Sequence, residues 1–130
     1  MDKSLNREHL LNLARELVAT SPAVETEVIV SSQRDLFARF AGSGPTQSAD
    51  RIVPSVRIRV RVERPGGLSE AQADCDSLDP VAAKSAMGRA LALAEHGAIS
   101  TDLIPMGGAV EAPDCLGDET VCDDGFSLMA

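Results

Sequence analysis

The sequence predicts an α+β fold, a small and mostly antiparallel sheet of about four strands with two helices packed on one face. Three observations carry that expectation. Val56 to Val62 alternates strictly, with Val56, Ile58, Val60 and Val62 on one side and Arg57, Arg59 and Arg61 on the other, which is the period of a strand with one face buried. Apolar residues at helical spacing open the chain, and an alanine-rich run follows Asp79-Pro80. Pro65-Gly66-Gly67 then supplies a turn directly after the alternating run.

Leu10, Leu11, Ala14, Leu17 and Val18 recur at helical spacing, with Arg7, Glu8, Asn12, Arg15 and Glu16 on the other face, so residues 5–19 read as an amphipathic helix. Ser4 or Asp2 is its expected cap, and Ser21-Pro22 stops it, because the residue before proline is pushed out of the α region. Val24 to Val30 alternates as a first strand, and Ser31, Ser32 and Gln33 are expected to turn the chain. Leu36 to Ala41 reads as a second strand, followed by a loop containing glycine, serine and proline that leads to Val56. Pro54 lacks a ladder donor and belongs at a strand start or an edge. Leu68 to Asp74 is a weaker strand completing a hairpin with Val56 to Val62. Asp79 caps and Pro80 opens the second helix, in which Val81, Ala86, Ala90, Leu91, Leu93 and Ala94 form the apolar stripe and Gly97 ends the run. From Ala98 periodicity is lost and irregular chain is expected, giving a domain over 1–97 and an irregular acidic segment over 98–130.

With 130 residues and 44% hydrophobic content there is room for one domain and a core, but Trp and Tyr are absent and Phe numbers three, so the core is aliphatic. The net charge of −8 argues against nucleic acid, whose phosphates demand basic surface. That charge is uneven. Residues 1–65 carry ten basic and eight acidic side chains, whereas residues 66–130 carry two basic and twelve acidic. No apolar run approaches the ~18 residues of a membrane span, and the charged start is no signal peptide, so a cytoplasmic location is expected. Cys75, Cys115 and Cys122 suit reduced thiols better than a disulfide framework, with a Cys115–Cys122 bridge as the alternative.

The segments RFAGSGPTQS, SVRIRVRVERPGG and LDPVAAKSAMGRALALAEH stand in an order that resembles the N-terminal domain of the TldD/PmbA family, zinc metallopeptidases also labelled modulators of DNA gyrase. The resemblance covers residues 5–97. It implies a peptidase-linked role, with zinc held in a separate C-terminal domain by an HExxxH-type helix and a further cysteine. In this chain the two histidines, His9 and His96, stand in REHLL and AEHGA, so no catalytic residue carries over and no cofactor is assigned to the chain itself. The resemblance is met equally by a domain of a longer enzyme, a truncated paralogue or a free-standing version.

Arg39, Ser43 and Gln47 match recurring family positions where a strand gives way to a loop. A guanidinium fork with nearby polar groups can orient a carboxylate or peptide backbone; equally, a strand-end arginine and loop polar groups can satisfy one another. Arg57, Arg59 and Arg61 form a positive stripe that can receive an acidic partner, face solvent, or pair internally with acidic residues such as Glu25 and Glu27. His9 and His96 would bind metal only if two helices brought them together. Asp114, Cys115, Asp118, Glu119, Cys122, Asp123 and Asp124 are rich in oxygen and sulfur but lack EF-hand or CxxC spacing, and read as a solvated acidic segment. GxSxG, GxxxxGK[ST] and GxGxxG are absent.

Two functions follow from these observations. The first is a non-catalytic domain that helps to bind peptide substrate and to assemble with a zinc-bearing domain. The second is a stand-alone regulatory or protein-interaction module. Either takes a peptide or protein partner, or forms a homo- or hetero-dimer, through an exposed sheet edge. Nucleic acid and membrane are not expected partners.

Overall fold

The computed structural model describes residues 6–108. Its elements run α1 (Arg7–Thr20), β1 (Glu25–Ala41), β2 (Gly44–Arg64), β3 (Gly67–Cys75), α2 (Pro80–His96) and β4 (Ile99–Ser100). The strands form one sheet in the order β1-β2-β3-β4, so each new strand adds to the last. This is the α+β architecture that the periodicities predict. No described helix is long and apolar enough to cross a membrane.

The chain divides into two compact units, residues 6–32 with 54–107 and residues 33–53. The first holds the core. Val56, Ile58 and Val60 of β2 are buried, together with Leu13 and Leu17 of α1 and Ala83, Ala86, Met87, Ala90 and Ala94 of α2. Four alanines along one side of α2 let that helix lie close over β3, its main contact. The expected stripes hold in part: in α1 Leu17 is buried and Leu13 joins it while Leu11 and Val18 stay exposed, and in α2 Ala86, Ala90 and Ala94 are buried and Leu91 packs on the core while Val81 and Leu93 are exposed.

β2 and β3 pair through a two-residue turn, Pro65-Gly66, that sets Arg64 opposite Gly67. Gly66 has φ +96°, which glycine adopts without a Cβ penalty. Pairing with β3 starts at Val56, so Pro54 lies beyond the end of β3, where its missing donor removes no rung on that side.

The second unit is the distal part of the β1–β2 hairpin. Two expectations fail here. The turn at Ser31 to Gln33 is absent, because Ser31 and Gln33 sit on the water-facing side of a strand that continues unbroken to Ala41. The loop expected up to Val56 shrinks to Gly42-Ser43, with Gly42 at φ +64°, the position a tight hairpin turn reserves for glycine. The polar stretch Gly44 to Val53 is extended because β1 lies beside it, a case of pairing overriding composition.

The termini bring two further corrections. Asn6, rather than Ser4 or Asp2, caps α1, its Oδ1 accepting from the backbone N–H of Glu8 at 2.9 Å and of His9 at 3.4 Å. Past Ala98, where the loss of periodicity predicts irregular chain, β4 pairs with Leu68 and Ser69 of β3. Asp79 caps α2 and Gly97 closes it as predicted. Cys115, Cys122 and the acidic residues around them lie outside the described residues.

Candidate binding edge and its arginine row

The β2–β3 register places like-facing residues opposite one another. Val56, Ile58, Val60 and Val62 meet Cys75, Ala73, Ala71 and Ser69 on the helix-covered face. On the other face Arg57, Arg59 and Arg61 meet Asp74, Gln72 and Glu70. Arg57 Nε donates to Asp74 at 3.3 Å, Arg59 donates to Glu27 at 2.9 Å, and Arg61 donates to both Glu25 and Glu70 at 2.7 Å. The row is thus paired within the sheet, and its guanidinium groups are occupied by carboxylates of the same chain.

Arg61 is the centre of this network. Its side chain is 7% exposed, and the Ile104 carbonyl accepts a further hydrogen bond from it. Its bonds to Glu70 and then to Glu25 hold the guanidinium pKa above the ordinary arginine value, so it is a permanent cation. Glu25 also accepts from the Met106 backbone N–H at 3.4 Å. Residues 101–106 therefore pass over the charged face of the sheet. Glu70 and Asp74 escape a reading of the sequence alone, yet a signal for them is there. A two-residue turn after Arg64 fixes the register, and Leu68 to Asp74 then sets its acidic positions against the arginines.

In the distal hairpin Arg39, Ser43 and Gln47 are all exposed. Among the described residues none of the three side chains hydrogen-bonds to another. The Arg39 guanidinium carbon lies 5.8 Å from the centre of the Phe37 ring, in cation–π range, and its carbonyl accepts from the Thr46 hydroxyl at 3.1 Å. Two cross-strand ion pairs brace the ribbon, Arg34 with Asp50 at 2.8 Å and Arg51 with Asp35 at 3.1 Å. The Arg34 guanidinium, bonded to Asp50, pulls that carboxyl below its usual pKa.

His9 stands in the first turn of α1 and His96 in the last turn of α2, both exposed. Among the described residues no three His, Cys, Asp or Glu side chains are grouped to hold a metal ion.

The remaining feature is an edge. β1 is the outermost strand, hydrogen-bonded to β2 on one side only. Beside its first half runs a shallow groove lined by Leu10, Leu11 and Ala14 of α1 and Val28, Ile29 and Val30 of β1. Leu11 is 40% and Ile29 50% exposed, so apolar surface flanks main-chain groups that no described strand pairs. Such an edge can accept an extended chain, with backbone hydrogen bonds for affinity and the groove for side chains.

No protein family, curated protein or solved structure matches this chain.

Proposed function

We propose that this chain is a non-catalytic binding module that captures extended polypeptide at the outer edge of β1, over Glu25 to Ser32. One observation carries the reading, the open edge of β1 beside the apolar groove of α1. Main-chain pairing there selects for extended conformation rather than for one sequence, which suits an unfolded or peptide substrate. The resemblance to the TldD/PmbA N-terminal domain supplies the setting, in which captured peptide is passed to a separate zinc-bearing domain. Arg39, Ser43 and Gln47 remain solvent-facing candidates for contact with that partner. Arg57, Arg59 and Arg61 serve the sheet instead.

The test is titration of the labelled chain with unstructured peptides and with a separately expressed zinc-bearing domain, by calorimetry and amide NMR. Amide shifts concentrated on Glu25 to Ser32 are expected with peptide. Binding to neither ligand would sink the proposal.

A stand-alone interaction module is the second reading, favoured by the exposed Phe37 and Phe40 of the distal hairpin, at 44% and 59% exposure. A zinc-bearing domain that copurifies with the chain favours the first reading over this one.

A further inference from the structure

We infer that the distal part of β1, Gln33 to Ala41, pairs antiparallel with the same segment of a second copy of this chain, centred on Phe37. The inference shares with the proposed function the use of an open strand edge and of Arg39, but not the peptide-capturing segment Glu25 to Ser32.

The distal hairpin is a two-stranded ribbon, since among the described residues β3 pairs with β2 only from Val56 onward. Such a ribbon is marginal in water, and added strands stabilise it. Its outer strand is also self-complementary. With Phe37 on the two-fold axis, Asp35 of each copy stands opposite Arg39 of the other, so two unlike-charge pairs form at once. Phe37 then faces its own counterpart, and Leu36 stands opposite Ala38.

Neighbouring registers lose these matches. Centring on Asp35 sets that carboxylate against its twin, and centring on Arg39 does the same with two guanidinium groups. Centring on Leu36 or Ala38 places Phe37 opposite Asp35 or Arg39 and leaves both charges without an unlike partner.

The groups are available for this pairing. Arg39 is exposed and has no carboxylate partner among the described residues, only the ring of Phe37 beside it. Asp35 accepts one hydrogen bond on each oxygen, from Gln33 and from Arg51, and each oxygen keeps a further lone pair.

Analytical ultracentrifugation of the full chain over a concentration series tests the inference. The unmodified chain is expected to show a monomer–dimer equilibrium. R39E sets a second carboxylate against Asp35, and D35K sets an ammonium group against Arg39, so each variant alone should dimerise roughly tenfold more weakly or worse. In a mixture of the two, the native Asp35 of one variant meets the native Arg39 of the other, and the introduced lysine meets the introduced glutamate. Native mass spectrometry should then find the heterodimer restored.

Asp35 also holds Arg51, so D35K disturbs its own ribbon. A measurement on the unmodified chain therefore accompanies the variants: isotope-filtered NOEs between the Phe37 rings of differently labelled copies, expected to be present. A chain that stays monomeric at every concentration, variants that dimerise like the parent, a mixture that fails to associate, or absent Phe37 NOEs each overturn the inference. A monomer that still captures peptide overturns this pairing alone. A dimer that captures none overturns the proposed function alone.

Discussion

Ser69 shows how a single side chain can be a liability: with the Ser32 hydroxyl and Arg59 Nε, its hydroxyl is one of three buried side-chain polar atoms in the sheet without a hydrogen-bond partner among the described residues. It is completely buried between β3 and α2, its hydroxyl has no partner among the described residues, and a Cβ at Gly97 would lie 2.7 Å from it. An unpartnered buried hydroxyl costs on the order of 1–3 kcal/mol, so Ser69→Ala should raise stability by about 1 kcal/mol in urea denaturation with an unchanged m-value. A loss of stability would mean that the hydroxyl is bonded. Asp50 offers the complementary case. Arg34 lowers its pKa in the folded chain, first through the hydrogen bond and then through charge. A carboxyl with a depressed folded pKa contributes stability that is whole above its unfolded value of about 3.9 and is lost as the pH falls through the lower folded value. An NMR titration of the Asp50 carboxyl should therefore find its midpoint below that of the unfolded chain, and Asp50→Asn should remove that part of the acid dependence. A midpoint at or above the unfolded value would refute the pairing.

At the scale of elements, two glycines of the same composition play opposite parts. A Cβ on Gly67 would stand 2.6 Å from the Ser100 carbonyl and 2.8 Å from Ile99 Cγ2, so the close approach of β4 depends on that missing carbon. Gly67→Ala should unseat β4, read as lost amide protection at Ile99 and Ser100 while the helix-covered core stays protected. Gly88 meets nothing within 4 Å and sits exposed in the middle of α2. There the same substitution should add about 1 kcal/mol, since alanine is the better helix former. Unchanged protection in the first variant would place β4 elsewhere. The two helices were legible in the sequence because Ser21-Pro22, Asp79-Pro80 and Gly97 mark their ends through local chemistry. The length of β1 and β2 was not, because Ser31 to Gln33 and Gly44 to Val53 are extended only by virtue of the neighbouring strand.

For the molecule as a whole, the same division separates what sequence reading reached from what it missed. The strict alternation of Val56 to Val62 announces both the core and the arginine row, but leaves open whether that row takes an acidic partner, faces solvent or pairs internally with residues such as Glu25 and Glu27. The third and fourth partners of that row, Glu70 and Asp74, depend on register, which a two-residue turn decides. The groove beside β1 was out of reach, since Leu10, Leu11 and Ile29 come together only once α1 is placed along the strand.

The tie between Arg61 and the Ile104 carbonyl spans 43 residues, although each strand of this meander pairs with the one made just before it. A ribosome delivers such a sheet in folding order, hairpin after hairpin, until it reaches Arg61. That guanidinium meets Glu25 as β2 forms and Glu70 once β3 is made, while the Ile104 carbonyl arrives only after α2 and β4. The charged face of the sheet closes last, and synthesis halted before Ile104 would release a chain with a complete aliphatic core whose Arg61–Glu25–Glu70 cluster lacks the bonds from Ile104 and Met106.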